Sequence, residues 1–135
     1  MKTPEPLPSE QVLRGTYQLL AKLGSGGMGE VYIAAHTRMS KRFAVKLLAA
    51  RHGASAEAYA RFQREAEITS RLGHPHIVEI IDFDTADDGR PFMVMELLEG
   101  EDLADRIHRG PLAPADALRI TEQIGSALQA AHEAG

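Results

Sequence analysis

Leu23-Gly24-Ser25-Gly26-Gly27-Met28-Gly29-Glu30-Val31-Tyr32 is the stretch on which the reading of this chain turns. Three glycines spaced Gly-x-Gly-x-x-Gly are weak evidence alone, so the residues that follow them decide. In a dinucleotide-binding fold such a loop opens a helix. Here Val31-Tyr32-Ile33 is β-branched and aromatic, so the loop joins two strands. A Walker-type loop ends in Gly-Lys-Ser/Thr, and Glu30 after Gly29 excludes it. Glycines in a strand–strand hairpin let backbone N–H groups approach a phosphate chain with no Cβ in the way. The run by itself fits an ordinary glycine-rich hairpin turn equally well.

Working outward, Thr16–Leu23 and Glu30–His36 read as the strands on either side of the loop, and Arg42–Leu48 as a third. Phe43-Ala44-Val45-Lys46 lies on that third strand. With period two, Ala44 and Lys46 share one face, and Phe43, Val45 and Leu47 the other. A lysine on an apolar strand needs a partner if it is buried. The bland alternative is a strand-edge lysine reaching solvent. Ser55–Leu72 is helical, with Ser55 as N-cap and Gly73 as the left-handed terminator. Ile77–Phe83 and Pro91–Leu98 read as two more strands. Leu103–His108 is a short helix, and a longer one starts at Pro114 and reaches about Glu133, with Leu118, Thr121, Ile124, Leu128 and Ala131 on one face. Three strands, a helix, two strands and two helices make an α+β fold centred on a five-stranded antiparallel sheet.

The helix offers two glutamates near one another, Glu65 and Glu67, separated by roughly 200° around the axis. Tyr59, Phe62, Ala66, Thr69 and Leu72 define an apolar arc that contains Glu65. A carboxylate inside a packed face needs a cation, and Lys46 is the natural one. Glu67 falls on the opposite face and reads as a solvated partner of Arg71 at i+4. A surface role for Glu65 is the alternative.

The order of these motifs resembles the protein kinases, and Gly-Ser-Gly-Gly-Met-Gly-Glu-Val-Tyr looks most like the bacterial serine/threonine kinases. The resemblance implies a kinase-like N-lobe of five strands and one helix, followed by two helices of an incomplete C-lobe. It implies an ATP site lined by Leu23, Gly24, Ser25, Gly26, Gly27, Met28, Gly29, Val31 and Ala44. Lys46 would hold the α- and β-phosphates and Glu65 would fix Lys46. Pro91–Gly100 resembles the last N-lobe strand and the hinge. Met95 falls at the gatekeeper position, and the backbone C=O of Glu96 and N–H of Leu98 fall where the family binds the adenine edge. Asp102 lies where a polar residue often meets the ribose. On this reading residues 1–13 are a flexible proline-rich tail, 14–95 the N-lobe, 96–101 the hinge and 102–135 the start of the C-lobe.

The family's catalytic loop, His-Arg-Asp with a later Asn, supplies the base and a Mg²⁺ ligand. His108-Arg109-Gly110 only mimics it, because Gly110 carries no carboxylate and Ala115 stands where the Asn would be. Asp82-Phe83-Asp84 likewise mimics the metal-binding Asp-Phe-Gly without its glycine. These 135 residues therefore read as the nucleotide half of a kinase cut short before phosphoryl transfer, with Mg²⁺ expected only alongside the missing lobe. The parent would act on Ser or Thr of a protein substrate. The alternative is a complete, pseudokinase-like nucleotide-binding or regulatory module that pairs with another protein. A third reading is a relic that binds nothing.

Composition bounds the rest. A formal net charge of −4 without a basic run argues against nucleic acid as a partner. The absence of cysteine excludes thiolate metal sites and thiol nucleophiles and fits a cytoplasmic location. No stretch approaches the roughly 20 apolar residues of a membrane helix. His74 and His76 flank Pro75 without an acidic or histidine partner at ligand spacing, so they read as a turn, with no metal site.

Overall fold

In the computed structural model, which describes residues 4–26, 29–49 and 55–135, alternation of apolar and polar residues has produced strands. They are β1 (Glu5–Leu13), β2 (Tyr17–Ser25), β3 (Gly29–His36), β4 (Arg42–Leu48), β5 (Ile80–Thr85) and β6 (Pro91–Glu96). Among the described residues three helices accompany them, α1 (Ala56–Leu72) between β4 and β5, then α2 (Leu103–His108) and α3 (Pro114–Glu133). The sheet is antiparallel throughout, in the order β1-β2-β3-β4-β6-β5.

This sheet has six strands where the sequence predicts five, because Glu5–Leu13 pairs with β2 instead of forming a solvated tail. The proline-rich segment succeeds as an edge strand, where missing N–H donors are tolerated. A register shift between Pro6 and Gln11 absorbs the irregularity. Leu13 is 2% exposed and Leu7 packs on the same core, so the segment is held by burial as well as pairing. Met1–Thr3 of the expected tail lie outside the described residues.

Each face of the sheet has its own core. Phe43, Val45 and Leu47 of β4 pack with Phe92 and Val94 of β6 and with Tyr17, Leu19, Tyr32 and Ala34. On the other face Leu48 and Met93 meet Phe62 and Ala66 of α1, with Ile80, Phe83 and Met95 beside them. Phe62 is fully buried, and burying such a side chain stabilises by about 2–3 kcal/mol. Ser55 caps α1 by accepting a bond from the Ala58 N–H at 3.3 Å, and Gly73 ends it at φ 50°.

β5 starts three residues later than the sequence predicts, because the Ile77 N–H bonds the His74 carbonyl at 3.0 Å and holds Ile77 in a turn. Both His74 ring nitrogens serve that turn region. Nδ1 accepts from the His76 N–H, and Nε2 lies 3.0 Å from the Ser126 hydroxyl on α3. α3 itself buries no residue, and Leu118, Ile124 and Leu128 stand 47–62% exposed along its apolar stripe.

Candidate functional site

The sheet face under α1 carries the residues singled out above. Register places Val31, Lys46 and Met93 in one cross-strand row and Ile33, Ala44 and Met95 in the next. The floor is therefore apolar, with one ammonium group in it. Lys46 Nζ donates to Glu65 Oε1 at 2.8 Å and lies 5.7 Å from the centre of the Phe62 ring. The lysine side chain is 24% exposed.

The expectation that a packed arc encloses Glu65 needs correction, since its side chain is 46% exposed. Its angular position is that of the buried arc, which runs through Ala58, Phe62 and Ala66. However, α1 rests on β5 and β6, so the part that overhangs Lys46 faces an open sheet surface. Glu67 pairs with Arg71 at 2.5 Å on the solvent side.

The hairpin between β2 and β3 closes through Gly24↔Val31 and Ser25↔Glu30, with a bond from the Gly26 N–H to the Gly29 carbonyl at 2.8 Å. Gly27 and Met28 lie outside the described residues. The glycines differ in their reasons. A Cβ on Gly29 would sit 2.4 Å from the Leu47 carbonyl oxygen, so packing against β4 already demands glycine there. A Cβ on Gly24 or Gly26 would meet nothing within 4 Å, and neither has a positive φ. Neither the backbone nor the protein's own packing accounts for those two.

Past β6, Leu97–Gly100 leave the sheet, and among the described residues no backbone hydrogen bond engages them. Leu98 is 64% exposed. The Glu96 side chain turns back and accepts a bond from the Glu79 N–H at 2.9 Å. Asp102 is the N-cap of α2, its Oδ1 accepting from the Asp105 N–H at 2.7 Å, so one of the two oxygens considered for a ribose is already engaged. A cavity of about 350 Å³ between α1 and β5 lies away from Lys46, and Gln63, Ala66, Ser70 and Ile80 are among its walls.

The sequence places Phe62 on the helix arc that contains Glu65, but does not show that its ring lies beneath the lysine. Sequence reasoning also missed a polar group on the far side of the hairpin. There Lys22 pairs with Glu30, and Tyr32 donates to Glu30 Oε2 at 2.8 Å. These two donors hold the Glu30 carboxyl below the usual carboxylate range, while burial and the Glu30 contact push the Tyr32 phenol up to about 12.

The protein kinase domain matches residues 17–135 of this sequence. The chain belongs to the protein kinase family. Its relatives are of the bacterial serine/threonine type. It is 45% identical over 122 residues to serine/threonine-protein kinase PknD of Mycobacterium tuberculosis, covering 90% of this chain and 18% of that protein. Against serine/threonine-protein kinase pkn2 of Myxococcus xanthus it is 40% identical over 128 residues, 95% of this chain and 15% of the relative. The crystal structure of the M. tuberculosis PknI kinase domain superposes with a TM-score of 0.79 at 33% identity, over 96% of this chain and 52% of that one. This kinase chain thus spans under a fifth of those curated relatives and about half of the PknI kinase domain. The antiparallel sheet with α1 on one face is the architecture of a kinase N-lobe, followed by the first helices of a C-lobe.

Proposed function

We propose that these 135 residues form the ATP-binding half of a serine/threonine protein kinase. The observation that carries this reading is the Lys46–Glu65 ion pair on an apolar face, one strand away from a hairpin with two glycines that the fold itself does not require. Leu23, Val31, Ala44 and Met95 are the apolar surfaces for the base. The Glu96 carbonyl and Leu98 N–H are the edge contacts, and Asp102 faces the ribose. Gly24–Gly29, with Ser25, Gly27 and Met28 among them, cover the phosphates with backbone N–H groups, as glycine-rich loops do. Lys46 neutralises phosphate charge and Glu65 holds it in place. We place the lobe up to Met95, with β1 in its sheet, the hinge at 96–101 and the C-lobe helices beyond.

In the whole kinase, the bond between the β,γ-bridging oxygen and the γ-phosphorus breaks as a protein Ser or Thr hydroxyl oxygen bonds to that phosphorus. ADP leaves, and the hydroxyl proton passes to a base that none of the residues assigned here supplies. Mg²⁺, when bound with ATP, would neutralise phosphate charge; among the described residues no group of three or more His, Cys, Asp or Glu side chains is arranged to hold a metal ion.

Titration of this chain with ATP, alongside Lys46→Ala, tests the reading. Saturable binding weakened at least tenfold by Lys46→Ala is the expected result, since one charge-assisted phosphate contact is worth about 1.5–3 kcal/mol. Equal binding by both proteins, or none by either, overturns it. Phosphotransfer by this chain alone to a Ser/Thr peptide would overturn the assignment of the base to other residues.

A further inference from the structure

The ladder that carries the glycine hairpin is weak where it matters. Its register shifts between Lys22 and Gly24, and among the described residues Gly24↔Val31, Ser25↔Glu30 and the Gly26–Gly29 bond are what hold it beyond the shift. The β3 arm is anchored on its other edge, where Gly29, Glu30 and Val31 pair with β4, so the loosely held arm is the one that carries Gly24 and Gly26, and glycines add backbone freedom there. Lys22 stands on one side of the shift and Glu30 on the other, so their ion pair crosses the irregular step. Tyr32 lies directly opposite Lys22 and gives Glu30 its second donor, so each carboxylate oxygen takes one. The Tyr32 side chain belongs to the core cluster and is 8% exposed, which fixes the phenol. The pairing of Tyr32 with Val45 and of Glu30 with Leu47 puts this group on the sheet face away from Lys46.

We propose that Lys22, Glu30 and Tyr32 are positioning residues that brace the glycine hairpin over the phosphate site from the opposite face of the sheet. This inference rests on the nucleotide-binding reading above. No member of the group touches the nucleotide face. Their effect is to narrow the range of positions that the backbone of Gly24, Ser25 and Gly26 samples against β3, so that less ordering is needed when phosphates bind. The effect belongs to the phosphates, because the apolar surfaces for the base lie on β4 and β6 as well as beside the hairpin.

Charge gives the test a sign. Glu30→Gln removes a negative charge near the phosphate site, so a simple field effect would tighten ATP binding, whereas loss of the brace weakens it. ATP and adenosine are titrated separately, at equal ionic strength, into the isotope-labelled chain and followed by amide NMR shifts. We expect Glu30→Gln to weaken ATP about fivefold and to leave adenosine within about twofold, as a drop in the competent hairpin population requires. Tyr32→Phe, which keeps the ring in the core, should act in the same direction more weakly. The charge swap Lys22→Glu with Glu30→Lys should recover part of the ATP binding, since it rebuilds the ion pair but leaves the Tyr32 hydroxyl without its acceptor. Unchanged or tighter ATP binding in Glu30→Gln overturns the brace, as does an equal loss for both nucleotides with a lowered Tm. Should the wild type bind neither nucleotide, the functional reading fails separately. The brace is then decided by hydrogen exchange of the residue 24–31 amides, and exchange unchanged by Glu30→Gln overturns it.

Discussion

Lys46 Nζ lies 2.8 Å from Glu65 Oε1, joining β4 to a helix residue 19 positions later, and the carboxylate that makes this bond is half in solvent. An ion pair this exposed contributes little to folding, typically about 0–1 kcal/mol. Its value is geometric: it holds an ammonium group over an apolar floor at a fixed height. Glu65→Gln should therefore leave the urea midpoint within about 0.5 kcal/mol of wild type while weakening ATP binding. A large stability loss with unchanged ATP affinity would show that the pair serves the fold.

The glycines of the hairpin should separate by substitution. A methyl group at Gly29 has the Leu47 carbonyl in its way, so β3 or β4 must shift. Gly29→Ala should destabilise by about 1–3 kcal/mol in urea unfolding. Gly24→Ala and Gly26→Ala meet open space and should leave the midpoint nearly unchanged, while lowering ATP affinity. Similar midpoints for all three variants would contradict the packing reason given for Gly29.

Alkaline pH should loosen the fold through Tyr17. Its hydroxyl donates to Asp82 at 2.8 Å, and burial, followed by that bond, pushes the phenol up to about 12 from the usual 10.0. The raised value means that the native state keeps its proton longer than the unfolded chain does. Stability from this group is thus complete below pH 10 and is lost as pH rises toward about 12. Urea midpoints measured from pH 9 upward should fall less steeply for Tyr17→Phe than for wild type. Tyr32 shifts in the same direction and should add to the slope.

Helix α3 should exchange its amides faster than β4. Nothing on it is buried, whereas Val45, Leu47 and Leu48 are fully enclosed. Amides of residues 114–135 should lose protection first in native-state hydrogen exchange, and β4 last. Protection of α3 equal to that of β4 in a monomer would contradict the exposure of its apolar stripe.

At the cap of α1, Ser55→Ala removes a single acceptor from the Ala58 N–H. The expected loss is about 1 kcal/mol in urea unfolding, with ATP affinity altered only if the helix end reaches Glu65 in its effect. A loss below about 0.3 kcal/mol would mean that water replaces the cap fully.

Much of this chain is legible in its residues alone. β4, α1, α2 and α3 lie where period, caps and proline put them, because those signals act within a few residues. Alternation alone separates Ala44 and Lys46 from Phe43, Val45 and Leu47, and the two cores divide in that way. The proline-rich start is different, since proline tells which backbone donors are missing but not whether a neighbouring strand needs them. Helical angle selects Glu65 over Glu67, yet it cannot reveal that the layer opposite Glu65 is open, because angle describes one helix and exposure depends on what lies across from it. The same limit hides the Lys22–Glu30–Tyr32 group, which depends on a register shift between two strands. Local sequence determined the elements and the chemistry each could offer. Only the tertiary structure decided which faces meet, how deep each charge lies and which glycine is required by packing, because those are properties of pairs of elements and the space between them.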